Sequence, residues 1–324
     1  MVAGWTTRIA ALLVLAGLVL GCRGKKRPPP TPAEVETQGI LAKLYAYVAC
    51  LDEAPRVFKL GDVYLERFGT RPPTVADAMP VFPSGDPEKC VDAVADAKTV
   101  KPALPELEQA ADAYAQTLTV LFDLTTVAHD HFDRTSKHFD PAKGIALHGR
   151  LTAVFRQFDT VQAPLFDGVY ALNQKIRREQ LAKREAKEGR TFPVIVEDLM
   201  MRAAELVPLA ATPLERIDQI DHAAITARAG VLESVLDEMT AFAVANAVEV
   251  NEMLRSHPLL AARTQSYLVA ARQLANRVSD HVPLSESDKL MIESKNEAEV
   301  VGTPAAMISA YNELVAVYSP PGSR

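Results

Sequence analysis

The chain has 324 residues, 48% of them hydrophobic and 23% charged, with a formal net charge of -6. That balance excludes a disordered chain and leaves room for one large domain or two smaller ones. Basic residues gather into no dominant patch, which argues against nucleic acid as a partner, and few aromatics (6%) among many alanines and leucines favour helix over sheet.

Arg8 lies in a short basic region, an apolar run follows from Ile9 to Leu20, and small Gly21 precedes Cys22. This is the order of a targeting segment, and at about twelve residues the run is too short to span a bilayer as a helix. The ending VLGC resembles the lipobox of bacterial lipoproteins, although Leu20 is bulkier than the residue usual at that position. The resemblance implies a signal peptide over 1–21 and lipid on Cys22, which becomes the mature N-terminus. The competing reading is an ordinary secretory signal that contains a cysteine. Residues 22–34 include RGKKRPPPTP, basic and proline-rich, which predicts an extended tether; about ten such residues at ~3 Å each hold a domain ~30 Å from the surface. Arg23 rather than aspartate follows Cys22, and by the usual bacterial sorting pattern this points to the outer membrane, facing the periplasm.

Export makes the remaining cysteines, Cys50 and Cys90, candidates for a disulfide in an oxidising compartment. Closing a loop of about forty residues would stabilise the fold by about 4 kcal/mol on the chain-entropy model. The alternative is two separately buried thiols.

From residue 35 to 319 the sequence reads as a single all-α domain, followed by a flexible tail over 320–324. The first helix is expected from Pro32 to about Asp52, with Ile40, Leu44, Tyr47, Val48 and Leu51 at helical spacing. Pro55 interrupts it, the pattern resumes from Val57 to Phe68, and GTRPPT marks a loop. Pro80 to Pro87 forms a second loop before a short helix carrying Cys90. A long helix is expected from about Pro102 to Phe139, with Leu107, Ala111, Tyr114, Leu118, Leu121, Phe122, Thr125 and Phe132 on one face. Asp140-Pro141 ends it. A longer helix follows, striped by Leu147, Leu151, Val154, Phe158, Val161, Leu165, Val169, Leu172 and Ile176, with a kink expected at Pro164. Two long helices joined by a short turn predict an antiparallel hairpin, so the expected architecture is an elongated helical bundle around it.

The stretch KIRREQLAKREAKEGR (175–190) carries both signs of charge and ends at Gly189; it reads as a solvated helix end held by local ion pairs. Further helices are expected over Phe192–Ala211, Thr212–Ser256, Pro258–His281, Ser285–Ala298 and Pro304–Tyr318. Thr212-Pro213-Leu214-Glu215 and Ser285-Glu286-Ser287-Asp288 both read as helix starts.

The richest chemistry lies in HDHFDRTSKHFDPAKGIALH, residues 129–148, which holds four of seven histidines. On a wheel at about 100° per residue with Leu118 at zero, His129 falls at ~20° and His131 at ~220°. His129 is then expected on the apolar face, half buried and hydrogen-bonded, and His131 on the solvated side. The two cannot converge on one ion while helical. His129, Asp133 and His148 form the weak candidate for a metal or small-ligand site, short of a usual complement of ligands. No GxSxG, HExxH, GxxxxGK[ST] or GxGxxG motif occurs, so no catalytic residue and no cofactor is expected.

KLYAYVACLDEAPRVFKLGDVYLERF (43–68), KGIALHGRLTAVFRQF (143–158) and AYNELVAVY (310–318) resemble the YiiG-like bacterial lipoproteins, whose shared domain has no assigned function. The shared features fall on Tyr45, Tyr47 and Pro55, then Lys143, Gly144, Leu147 and His148, then Tyr311 and Asn312. Relatives often carry paired tyrosines where this chain has Val127 and Ala128. The resemblance covers about residues 36–318 and implies an exported, mostly helical lipoprotein without catalytic residues. The expected function is a non-enzymatic envelope interaction or scaffolding module, held to the membrane by lipid on Cys22 and meeting an envelope protein partner. The alternative is a metal- or small-ligand-binding helical protein using the hairpin corner.

Overall fold

The structure is a computed structural model that describes residues 31–53, 55–69, 71–74, 77, 86–132, 140–246, 257–294 and 296–318. Cys22, the signal segment, most of the tether, Asp133, His138 and the tail lie outside the described residues. Every regular element among the described residues is helical: α1 (Pro32–Asp52), α2 (Pro55–Phe68), α3 (Pro87–Thr99), α4 (Pro105–Phe132), α5 (Pro141–Glu188), α6 (Phe192–Leu206), α7 (His222–Ala245), α8 (His257–Ser279), α9 (Glu286–Glu293) and α10 (Pro304–Tyr318). The described part of the chain divides into two compact units, one within 25–173 and one within 174–324.

In the first unit, Thr31 caps α1 through a reciprocal box, its hydroxyl accepting from Glu34 N–H while Glu34 Oε2 accepts from Thr31 N–H at 2.7 Å. Helix α1 packs on α3, and α3 on α4. Cys50 of α1 and Cys90 of α3 are joined by a disulfide across 40 positions, both buried. Gly39 on α1 meets the backbone beside α3: a Cβ there would overlap the Lys101 carbonyl.

Helices α4 and α5 pair in opposite senses. Leu107 abuts Gly168, Tyr114 stacks on Phe158 at 5.1 Å, Gln157 donates to Thr117 Oγ1 at 3.4 Å, and His131 with Phe132 abuts Gly144. Residue numbers rise along one helix as they fall along the other. Asp140 starts α5, its carboxylate accepting from Ala142 N–H at 2.9 Å, with Pro141 at the first helical position. The helix then runs unbroken through Pro164 to Glu188, and Gly189, at φ 74°, ends it.

In the second unit α6 packs on α7, α7 on α8, and α8 on α10. Leu199, Leu206, Leu232, Tyr267, Leu274, Met307 and Tyr311 lie in its core. Two expectations shift here. Helix α6 tightens into a 3-10 turn at Val207–Ala210, and the segment after Thr212 forms only a 3-10 turn, Leu214–Gln219, broken at Arg216 (φ -122°). The α7 start is instead Asp221, whose carboxylate accepts from Ala224 N–H at 2.9 Å. The turn at 214–219 buries none of its side chains, so no apolar face holds it in an α-helix. Ser285 does cap α9, in a reciprocal box with Asp288.

Gly39→Ala is expected to lower the urea-unfolding free energy by about 1–3 kcal/mol through overpacking. Gly230→Ala, in the exposed middle of α7 with no atom within 4 Å of the added carbon, should raise it by about 0.5–1 kcal/mol.

Candidate functional site

The hairpin corner places its histidines opposite to the wheel expectation. His131 is buried and its Nε2 lies 3.0 Å from the Asp140 carbonyl, whereas His129 is 48% exposed, with Nδ1 3.6 Å from its neighbour Asp130. The cause is the helix period. Buried positions on α4 recur at 114, 118, 121, 125, 128 and 132, and again at 117, 124 and 131, a seven-residue repeat. An ideal helix drifts ~20° per heptad against such a repeat, so a wheel anchored at Leu118 misplaces the apolar face at the far end. His131 then joins the core, next to Phe132 with ring centroids 5.0 Å apart.

His148 is committed elsewhere. Its Nδ1 lies 2.9 Å from the Tyr64 hydroxyl of α2, and the two rings pack 5.8 Å apart beside Phe155. Burial lowers the His148 pKa and, more strongly, raises that of Tyr64. Both shifts favour the neutral forms, phenol and imidazole, and the direction of the hydrogen bond follows the imidazole tautomer. No group of three or more metal-ligating side chains occurs among the described residues. His129, Asp133 and His148 do not make a metal centre among them, Asp133 lying outside.

One charged pair of the first unit is drawn inward. Lys43 of α1 is fully buried and ion-paired to Glu108 of α4, which also accepts from Leu104 N–H at 2.9 Å. These donors hold the Glu108 carboxyl below its usual range. Tyr47, a turn from Lys43, is pushed up to about 12 by burial and by Glu108 and Asp112.

In the second unit the stretch expected as a solvated helix end makes its ion pairs mainly with other helices. Arg178 reaches Glu205 and Arg184 reaches Glu197, both on α6 at 3.0 Å; Arg184 also holds Glu188 on its own helix. Arg190 grips Asp198 at 2.7 Å and Glu238 of α7 at 2.6 Å. Glu197 and Asp198 are both buried. Adjacent charges of both signs suggest local pairing in a sequence; that α6 would bring carboxylates alongside is a tertiary fact. The one available sign was Glu197-Asp198 within the otherwise apolar run FPVIVEDLMM (192–201).

A family model described as a protein of unknown function (DUF3829) matches residues 38–319. The uncharacterized protein YiiG of Escherichia coli (strain K12) is 24% identical over 234 residues, 71% of this chain and 62% of that protein. The chain thus spans less than two thirds of that relative's length. No solved structure matches the chain.

His148 sets a pH dependence whose sign follows from its lowered pKa. Below the ordinary imidazole value of 6.5 the unfolded chain takes up a proton before the folded one, so stability is full above that pH and declines as pH falls. The stability difference between about pH 7.5 and 5.5, from urea titrations, is expected to shrink in His148→Gln. Glu197→Gln, which leaves Arg184 with only the more exposed Glu188 as its ion-pair partner, should cost about 1–3 kcal/mol. Glu313→Gln, in the exposed pair with Arg263, should cost less than ~1 kcal/mol.

Proposed function

The chain belongs to the family described as proteins of unknown function (DUF3829), and from that membership we propose that it is a lipid-anchored, non-enzymatic interaction module of the bacterial cell envelope. The observation that carries the reading is the apolar run from Ile9 to Leu20 ending in VLGC at Cys22, followed at once by the proline-rich RGKKRPPPTP. Cys22 is the lipidated residue in this reading, and Arg23 directs the protein to the outer membrane, with the folded part in the periplasm.

The Cys50–Cys90 disulfide agrees with an oxidising compartment. No helix among the described residues is long and apolar enough to cross a membrane, and the lipid supplies the attachment in this reading. The interaction role draws support from apolar side chains left at the surface of the first unit. Val120 and Val127, two turns apart on α4, and Ile145 on α5 are exposed, and an envelope protein partner would cover them. The described ionisable groups with large shifts also have structural causes: burial for Tyr47, Tyr64 and Tyr114, and for Asp77 the paired Arg71 guanidinium.

The test is metabolic labelling with palmitate followed by membrane fractionation of wild type and Cys22→Ser. Wild type is expected to carry the label and sediment with outer membrane, and the variant to lose the label and appear in the soluble periplasmic fraction. A variant that still carries label and sediments would sink the anchor reading.

A further inference from the structure

Among the arginines that close α5, one differs from the rest. Arg178, Arg184 and Arg190 each hold a carboxylate on another helix. Arg177 is only 5% exposed, yet its Nη1 is buried without a hydrogen-bond partner, and no ion pair to it occurs among the described residues. Gln174, three residues earlier and 3% exposed, has neither its Nε2 nor its Oε1 partnered. Positions i and i+3 share a helix face with Cβ atoms about 5–6 Å apart, so the two side chains present unused donors and one unused acceptor at one place.

The charge there is equally uneven. Arg177, Arg184 and Glu197 all act electrostatically on the Tyr318 phenol of α10, which puts the four groups in one neighbourhood. Arg184 is paired with both Glu197 and Glu188 at 3.0 Å, whereas Arg177 has no ion pair of its own among the described residues. Ordered water can complete the hydrogen bonds of a buried amide, but it does not cancel a buried charge, whose burial is costly unless an anion accompanies it. Burial, above all other causes, raises the Tyr318 pKa, so the phenol keeps its proton and is a further donor in the neighbourhood of Arg177.

We propose that Gln174 and Arg177 form a buried recognition site for a small carboxylate that carries a hydroxyl or amino group next to its carboxyl. The guanidinium edge and the Gln174 amide N–H take the two carboxylate oxygens, and Gln174 Oε1 takes the neighbouring hydroxyl or amine proton. A monoanion matches the single guanidinium that has no carboxylate of its own, whereas a phosphate dianion would bring a second negative charge beside the buried Glu197. The site is independent of the membrane anchor, so the failure of one leaves the other standing.

The experiment is equilibrium dialysis of the full chain in detergent against radiolabelled L-lactate, with acetate and inorganic phosphate as competitors. Saturable lactate binding is expected, displaced weakly by acetate and not by phosphate. Arg177→Met and Gln174→Met are each expected to weaken it by about 10- to 100-fold, the loss of a charge-assisted hydrogen bond. Arg177→Met should also raise the melting temperature of the unliganded protein, because a buried charge without an ion pair of its own is replaced by an apolar side chain. Displacement by phosphate rather than acetate overturns the carboxylate assignment. Absence of saturable lactate binding, or binding unchanged in Gln174→Met, overturns the site, and that variant decides the matter if Arg177→Met does not fold.

Discussion

A helix satisfies its own backbone, so an all-helical protein has one outstanding electrostatic problem: any charge carried into the core needs a counter-charge brought beside it, here most often from a different helix. Glu108 shows the solution in its simplest form. It accepts from the buried Lys43 ammonium of α1 and from the Leu104 N–H just before its own helix, one carboxylate serving as ion-pair partner and helix-start acceptor together. Removing either donor would leave the other interaction with a desolvated charge to support alone. The pair therefore fixes the rotation of α1 against α4 more tightly than apolar packing does, because leucines tolerate a small slide and a buried ion pair does not. Lys43 and Tyr47 are one turn apart, and Cys50 follows on the same buried face, so ion pair and disulfide act along a single stripe of α1.

The same rule organises the second unit with more members. Arg190 follows Gly189, whose left-handed backbone turns the chain out of α5. That turn lets the guanidinium fork reach α6 and α7 at once, through Asp198 and Glu238. Arginine suits this position because its planar fork presents several donors in fixed directions. A lysine would offer a point charge and could not divide its bonds in the same way.

Much of the fold was legible because helix signals are local. Ser285 with Asp288 and Gly189 mark ends that the structure keeps, and Asp140-Pro141, read as the end of one helix, stands at the start of the next. The cysteine pairing was legible because only one connectivity remained once Cys22 was set aside. What escaped the sequence was whatever depends on a second helix. The wheel placed His129 inward because it assumed a straight 3.6-residue helix, while α4 keeps a seven-residue repeat that carries His131 into the core. The 175–190 charges looked self-contained because α6 could not be seen beside them. Thr212 looked like a helix start on local grounds, but nothing buries the residues that follow, and the helix waits for Asp221.

The residues that carry the family resemblance divide in an informative way. Tyr47, Gly144, Leu147 and Tyr311 are buried and His148 is spent on Tyr64, while Tyr45, Lys143 and Asn312 are exposed. Gly144 leaves room for His131 and Phe132, and Tyr311 packs on Tyr267 at 5.5 Å. The buried positions maintain helix contacts, so that part of the shared pattern describes how such a chain folds. A function specific to this chain has to be sought where fold and charge do not balance. By that criterion the exposed valines of α4 and Arg177, buried without an ion pair of its own among the described residues, differ in kind. An exposed valine costs little and needs no explanation by itself, whereas a buried guanidinium without an anion is expensive in every folded molecule and is the stronger pointer to chemistry still to be supplied from outside.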